Sequence, residues 1–247
     1  MSLGIVAALP VELQILAGRF TVNQAPIALS NHVWVICSGV GPQRAHAAGK
    51  LLLKYGITAL VSWGCAGALD PRLASGHLVL PTHIINCDNV MIPVNASWHR
   101  RLYHRLTAEL DVSTEALLAS EKIITEPTIK RHLLARYQAV AVDMESAALG
   151  LLAQEHKVPF LTIRAIVDTA TMTIPRLALQ ALDPVGRLCL MRLLIDFFKS
   201  PQEGPALLRL AWSFRAARAT LTQVARCAGS TLLFPASTDT FLGNTVP

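Results

Sequence analysis

The 247-residue sequence predicts an α/β fold: a three-layer sandwich with a mixed, largely parallel central sheet and a C-terminal helical extension. Short apolar, strand-forming runs alternate with segments of helical periodicity along the chain, which is typical of this class. Several runs, such as Phe160–Val167, are apolar almost throughout, as expected of strands covered by helices on both faces. Hydrophobic residues make up 52% of the chain and charged residues 15%, which excludes intrinsic disorder.

The first half of the sequence alternates strand and helix patterns from its start. Its predicted strands are apolar runs bounded by turn residues: Leu3–Leu9, Pro26–Ser30, Val33–Ser38, Ala59–Trp63 and Leu78–Asn86. One helical pattern begins near Pro10 and another covers Gln43–Tyr55. Asn31-His32 forms a tight turn, the glycine-rich segment Gly64-Cys65-Ala66-Gly67 ends the fourth strand, and Pro81 interrupts the fifth.

The second half continues this alternation and completes a main domain of residues 1–198. Two further apolar runs predict strands at Ala139–Val142 and Phe160–Val167. Helical spacing predicts helices at Ser97–Leu110, Thr128–Tyr137, Met144–His156 and from about Pro175 to Phe198.

Residues 199–247 form a predicted basic helical extension with a loosely ordered tail. Ser200–Pro205 is typical of a linker, and a helical pattern then runs to about Ala228. Its apolar residues share one helical face: Leu207, Leu210, Phe214, Ala217, Leu221 and Val224. Basic side chains flank that face: Arg215, Arg218 and Arg226. The face docks on the main domain or on a second subunit, lies on a membrane surface through residues 205–228, or forms a coiled-coil seam.

The composition excludes several classes of protein. The most apolar stretch, Leu188–Phe198, contains Arg192 and Asp196 and is too short for a spanning helix. The N-terminus lacks the positive region of a signal peptide, so we expect a cytoplasmic protein. Five cysteines without CxxC or Cys/His spacing predict reduced thiols and no zinc site. The net charge of +6 is too dispersed for a nucleic-acid surface, and no nucleic-acid partner is expected.

Acidic residues follow three of the predicted strands, at the sheet edge where open α/β folds bind ligands. They are Glu12, Asp143, Glu145 and Asp168. Each one alone is more often a helix cap or an ion-pair partner, but buried carboxylates are costly unless they are paired or used. Together with the glycine-rich segments Ser38–Gly41 and Gly64–Gly67, they predict a site for a polar ligand. Neither segment is a GxGxxG motif or a P-loop, so a nucleotide phosphate is not specified.

Five segments carry a resemblance to a known family, in the family's order: Gly4–Glu12, Ser38–Gly41, Gly64–Pro71, Val142–Ala148 and Ile163–Asp168. Residues 3–198 resemble the nucleoside phosphorylase/nucleosidase superfamily, and within it the methylthioadenosine/S-adenosylhomocysteine nucleosidases. The Asp-Met-Glu-Ser version of the fourth segment, with a tail containing Leu207–Ala211, is similar to a narrower branch. That branch is the hopanoid-biosynthesis-associated phosphorylases, which are thought to remove adenine from adenosylhopane.

The resemblance implies cleavage of a purine N-ribosidic bond, without a metal or an organic cofactor. Asp168, held protonated, would donate to purine N7, Glu145 would accept hydrogen bonds from the ribose hydroxyls, and Glu12 would take a proton from water. The implied substrate contacts are Gly64, Cys65, Ile123, Ile124, Asp143 and Met144. For Met144 and the two isoleucines, packing in the core is an equal alternative.

The sequence departs from the nucleosidases at three places. Asp143 stands where they usually carry Glu, and Cys65 stands where they carry Ser. The segment from Asn86 to Leu118, which helps to form the pocket for the 5′ substituent in relatives, is shorter here. A shortened wall fits a bulky 5′ group, so we expect a 5′-substituted adenosine as substrate, with adenosylhopane as the candidate.

Two alternatives to a nucleosidase remain open. Phosphorolysis needs cationic or backbone donors for a dianion, whereas an anionic Glu12 repels phosphate and suits water. Arg44 is a cation that in principle serves phosphate, so a nucleoside phosphorylase is the first alternative. A non-catalytic nucleoside-binding module is the second. The resemblance also implies a homodimer, and a lipid-linked substrate implies peripheral membrane contact.

Overall fold

The computed structural model describes residues 2–18, 25–175, 177, 201–229, 232 and 234. In this part of the chain the strands are β1 Leu3–Ala7, β2 Ile27–Ser30, β3 Val33–Cys37, β4 Ala59–Ala68, β5 Leu78–Val79, β6 His83–Asn86, β7 Met91–Pro93, β8 Val112–Ser113, β9 Leu117–Ala119, β10 Ala141–Asp143 and β11 Phe160–Asp168. The α-helices are α1 Pro10–Ala17, α2 Pro42–Lys54, α3 Ala96–Leu106, α4 Pro127–Tyr137, α5 Ser146–Glu155 and α6 Gly204–Ala228. A short 3-10 helix, Pro201–Glu203, precedes α6.

The strands form one mixed sheet that branches at β4. Its main path is β2-β3-β1-β4-β10-β9-β6-β7, and β11 leaves this path to pair with β4 and β5. β4 pairs in parallel with β1 and β11, while its last residues pair antiparallel with β10. Helices α2 and α5 pack together on one face, and α1 and α6 pack together on the other. The predicted α/β sandwich with a mixed, largely parallel sheet is therefore confirmed.

The structure corrects the predicted end of one strand and confirms the predicted interruption of another at Pro81. β4 continues through the glycine-rich segment to Ala68 because residues 64–67 keep their pairing with β11, so the prediction that this segment ends the strand was wrong. The predicted strand Leu78–Asn86 is two short strands, β5 and β6, separated at Pro81, which has no N–H for a ladder. Sequence analysis missed β7, β8 and β9, which are each two or three residues long.

Helix α6 packs against the main body of the protein. Ala217, Leu221 and Val224 are fully buried in the principal core. The Thr220 hydroxyl donates to the Gly76 carbonyl at 2.6 Å. The part of the apolar face formed by Ala217, Leu221 and Val224 therefore docks on the main domain. The predicted helix from Pro175 to Phe198, apart from Pro175 and Leu177, lies outside the described residues, as does most of the predicted tail.

Two apolar side chains of α6 remain outside this packing: Leu208 is 62% exposed and Trp212 is 64% exposed. Within the residues that the structure describes, no helix has the length and apolar character needed to cross a membrane.

Candidate active site

Glu12 is held against the glycine-rich end of β4. Pro10 opens α1, and Glu12 lies in the first turn of that helix, buried beneath it. Its carboxylate accepts hydrogen bonds from the N–H of Cys65 at 2.8 Å and of Leu9 at 2.9 Å. The indole N–H of Trp63 donates to the Glu12 carbonyl at 3.2 Å. The carboxylate is therefore fixed between the start of α1 and the middle of the sheet.

The glycines of β4 leave room for two carboxylates. A Cβ at Gly64 would lie 2.7 Å from the carboxyl atoms of Glu12, and a Cβ at Gly67 would lie 2.9 Å from Asp168 Oδ2. Asp168 ends β11 and pairs with Gly67 across the ladder. The segment predicted as a ligand-binding turn is thus a strand against which both acids pack, Glu12 at Gly64 and Asp168 at Gly67.

Glu145 reaches the same place from the other side of the sheet. It follows β10 and is the N-cap residue of α5. Its Oε1 accepts the N–H of Gly41 at 2.8 Å, just before α2 begins. The other glycine-rich segment, Ser38–Gly41, therefore supplies a backbone donor that orients this buried carboxylate.

Arg164 is a buried cation of the site that sequence analysis missed. It lies in the middle of β11, where its Nε donates to Asp143 Oδ2 at 2.8 Å and its Nη2 donates to Ser62 Oγ at 2.5 Å. Nη2 also donates to Ser146 Oγ at 3.1 Å, and the Ser146 hydroxyl donates to Asp143. Asp143 thus contacts Arg164 and the start of α5 and is not part of the cavity lining.

Glu12, Glu145 and Arg164 line one small cavity, together with Ser62, Gly64 and Cys65. The volume in it that is open to water is about 10 Å³. A single water molecule needs roughly 10–15 Å³ on this measure and two to four polar partners. The cavity therefore has the size and the polar lining for one water molecule.

Burial raises the pKa of all three predicted catalytic carboxyls. For Glu145, burial and the nearby charge of Asp143 raise the pKa from 4.5 to about 7. For Glu12, burial raises the pKa, and the backbone hydrogen bonds from Leu9 and Cys65 oppose this shift. For Asp168, burial raises the pKa, and the Lys130 ammonium opposes it. Each group is thereby brought closer to the range in which it exchanges protons near neutral pH.

Lys130 is the second buried cation that sequence analysis missed. It lies in α4, is completely buried, and donates to Asp168 Oδ2. A lone lysine in a polar helix is usually solvated, so the sequence offered no signal for it. Arg164 did offer one, because a charge inside an otherwise apolar strand must be paired.

The remaining predicted contacts lie around the ends of β9 and β10. Met144 is half-buried, Ile124 is half-buried beside a smaller second core cluster, and Ile123 is 42% exposed. The loop that carries the isoleucines is tied to the segment that follows β11, since Ile174 N–H donates to the Thr125 carbonyl at 3.2 Å. Among the described residues, no group of three or more His, Cys, Asp and Glu side chains is placed to hold a metal ion.

Comparison with known proteins assigns the family. The family model described as "Phosphorylase superfamily" matches residues 3–180. The chain belongs to this superfamily. The superfamily predicted from the five segments is thus confirmed, whereas the hopanoid-associated branch stays a prediction.

Sequence relatives within the superfamily include both nucleosidases and phosphorylases. The 5′-methylthioadenosine/S-adenosylhomocysteine nucleosidase of Buchnera aphidicola subsp. Baizongia pistaciae is 26% identical over 199 residues, which are 68% of this chain and 78% of the relative. A DeoD-type purine nucleoside phosphorylase of Streptococcus pyogenes serotype M4 is 30% identical over 151 residues, which are 56% of this chain and 63% of the relative.

Solved structures share the fold of this superfamily member. Futalosine hydrolase of Helicobacter pylori superposes with a TM-score of 0.69 at 16% identity, covering 92% of this chain and 96% of that chain. The 5′-methylthioadenosine/S-adenosylhomocysteine nucleosidase of the same organism, in complex with a pyrrolopyrimidine compound, gives a TM-score of 0.68 at 16% identity with the same coverage.

Proposed function

We propose that this chain is an N-ribosyl purine nucleosidase that hydrolyses a 5′-substituted adenosine and releases adenine. The observation that carries the proposal is the water-sized cavity between Glu12, Glu145 and Arg164, with Asp168 at the end of the neighbouring strand β11, opposite Gly67 of β4. The named sequence relatives, which are nucleosidases and purine nucleoside phosphorylases, support an enzyme that acts on purine nucleosides.

Each carboxyl group suits one part of this hydrolysis. Glu12 lines the cavity and accepts a proton from the water that attacks the anomeric carbon. Glu145 accepts hydrogen bonds from the ribose hydroxyls, and its negative charge stabilises the positive charge that develops on the sugar. Asp168 donates its proton to N7 of the departing purine, which leaves as a neutral base.

Water suits this site better than phosphate because the donors that a dianion needs are already occupied. Among the described residues, the two fully buried cations are Arg164 and Lys130, and they are paired with Asp143 and Asp168. The backbone N–H groups of Gly41 and Cys65 donate to Glu145 and Glu12. Arg44 lies on an exposed face of α2.

The substrate that we propose is adenosylhopane, whose lipid part would be met at a bilayer. Two observations support contact with a membrane surface. Leu208 and Trp212 are exposed one helical turn apart on α6, and the exposed Arg209 and Arg215 lie beside them. Helix α6 carries no acidic residue that would oppose anionic lipid. From the family resemblance we also propose a homodimer, which light scattering of the purified protein would test.

The proposal is tested by incubating the full chain with adenosylhopane and, separately, with methylthioadenosine, each with and without phosphate. We expect free adenine from adenosylhopane at a rate that phosphate does not change. Asp168→Asn should reduce that rate by about 100-fold or more, because it removes the proton donor, and should retain a folded protein by circular dichroism.

Other outcomes separate the alternatives. Release that requires phosphate would identify a nucleoside phosphorylase. Binding of nucleoside without release of adenine by the wild-type chain would identify a non-catalytic binding module. Release from methylthioadenosine alone would overturn the lipid substrate while keeping the nucleosidase.

A further inference from the structure

Lys130 presents an unusual arrangement at the edge of the candidate site. Its side chain is completely buried, and its ammonium contacts three oxygens: Asp168 Oδ2, the Thr169 carbonyl at 2.7 Å and the Met172 carbonyl at 3.1 Å. An ammonium has three N–H donors and no acceptor. Each donor therefore has one acceptor, and the group is fully satisfied as a cation.

A buried ammonium is a costly way to pack a helix against a sheet. Removing a charge from water is unfavourable, and apolar residues of similar volume often replace buried ion pairs without loss of stability. The neighbouring Arg131 on α4 is exposed, as cations on helices usually are. The placement of Lys130 is therefore better explained by its partner, Asp168, than by packing.

The Lys130 ammonium supplies the positive charge next to the carboxyl of Asp168. Among the described residues, it is the one charged side chain that contacts this carboxyl. From β4, Gly67 adjoins Asp168, and the Cys65 thiol, whose pKa is raised chiefly by burial, is the titratable group that faces it. In the described part of β5, α5 and α6, no charged side chain forms an ion pair with Asp168.

We propose that Lys130 is a positioning residue for the proton donor Asp168, an inference that rests on the proposed function. Its ammonium holds Oδ2 and the carbonyls of Thr169 and Met172, so that Oδ1 is left to carry the proton towards the purine. When the glycosidic bond breaks, its electron pair goes to the base, and the Oδ1–H proton moves to the purine nitrogen. Asp168 is then a carboxylate beside the ammonium, which stabilises the charge formed in this step.

The first test compares kcat and KM for adenine release by three variants. Lys130→Met should lower kcat by about 10- to 100-fold and change KM by less than about threefold, because the effect lies in proton donation. Lys130→Arg, which keeps a cation at this place, should recover most of kcat. Arg131→Met, an exposed neighbour on the same helix, is the matched control and should behave as the wild type.

A second measurement separates this role from a merely structural one. Without the cation, the pKa of Asp168 rises, so the alkaline limb of the rate profile should move to higher pH in Lys130→Met. A nucleoside already methylated at purine N7 needs no proton to leave, so Lys130→Met should cleave it about as fast as the wild type does. In the Asp168→Asn background, Lys130→Met should cause no further loss of kcat.

The proposal is overturned if Lys130→Met keeps the wild-type kcat and alkaline limb, or if Lys130→Arg is as impaired as Lys130→Met. If the methionine variant is insoluble, Lys130→Gln, which keeps donors without the charge, replaces it with the same expected loss. A readout independent of activity is the infrared titration of the Asp168 carboxyl, assigned with Asp168→Asn. An unchanged titration in the variant overturns the role of Lys130 whether or not adenine is released, whereas failure of the wild type to release adenine rejects only the proposed function.

Discussion

Gly67 is a residue at which a side chain would directly displace a predicted catalytic group, the carboxyl of Asp168. Asp168 Oδ2 lies 2.9 Å from the position that a Cβ at Gly67 would take. Gly67→Ala should therefore displace the carboxyl of Asp168, lowering kcat for adenine release at least about 10-fold and the free energy of unfolding by about 1–3 kcal/mol. Urea denaturation and the adenine assay measure the two effects.

A matched background separates this clash from an effect on the strand itself. In Asp168→Ala/Lys130→Met, the carboxyl is absent and no buried charge is left unpaired. There, Gly67→Ala should change the free energy of unfolding by less than about 0.5 kcal/mol. An equal loss in both backgrounds would mean that strand geometry, and not the carboxyl, requires glycine.

Glu145 makes stability depend on pH. Its pKa is raised from 4.5 to about 7 in the folded protein, chiefly by burial. Between these values the folded state binds more protons than the unfolded state, so stability falls as the pH rises from about 4.5 to 7. The contribution is about 3 kcal/mol, because a pKa that differs by one between the folded and unfolded states corresponds to about 1.4 kcal/mol.

The measurement is the free energy of unfolding in urea at pH 5 and pH 7.5, for the wild type and Glu145→Gln. The wild type should lose about 2 kcal/mol more than the variant over this interval, which covers most of the titration, because glutamine does not titrate. Equal losses in the two proteins would contradict a strongly raised pKa at Glu145.

At the residue scale, the sequence revealed the acids more readily than their partners. Glu12, Glu145 and Asp168 were recognisable because each follows an apolar strand. Arg164 lies inside such a strand, and its pairing with Asp143 depends on a strand 21 residues earlier in the chain. The local pattern shows that Arg164 is a charge inside an apolar strand and must be paired, but it does not show which residue is the partner.

At the scale of elements, β4 shows why a glycine-rich segment misled the prediction. Two glycines in four residues usually weaken a strand, because glycine has no side chain to pack and loses more entropy on ordering. Here, parallel pairing with β11 and antiparallel pairing with β10 hold the segment from both sides. Those partners lie far along the chain and are invisible to local sequence patterns.

Helix α6 divides its apolar residues between two faces with different expected roles. Leu221 is fully buried, whereas Leu208 is 62% exposed on the same helix. Leu221→Ala should lower the free energy of unfolding by about 2–5 kcal/mol. Leu208→Ala should lower it by less than about 0.5 kcal/mol but should weaken binding to vesicles of anionic phospholipid.

The two variants are controls for each other. In cosedimentation with vesicles, Leu208→Ala should bind less than Leu221→Ala does. In urea denaturation, Leu221→Ala should be the less stable of the two. Trp212→Ala should behave as Leu208→Ala does in both measurements. Vesicle binding that none of these substitutions changes would remove α6 from the membrane proposal and leave the buried face as its only role.

At the scale of the whole molecule, the layers were predictable and the branching of the sheet was not. Alternating strand and helix periods are local signals, and they predict a covered, largely parallel sheet. The fork at β4 requires three partners, β1, β10 and β11, drawn from segments that span most of the main domain. The division into residues 1–198 and 199–247 stays a prediction, since residues 178–200 lie outside the described part of the chain.

Strand β4 runs unbroken past both Glu12 and Asp168, so one backbone segment supports the two acids. Glu12 is anchored at Cys65 and Asp168 abuts Gly67, and two residues of a parallel strand span about 6.6 Å. Under the proposed function, the acid that accepts a proton from water and the acid that protonates the base are thus supported by one short stretch of backbone. The recorded side-chain partners of these two acids lie outside residues 86–118, the segment expected to surround the 5′ substituent, so substitutions in that segment should change the substrate without moving the two acids.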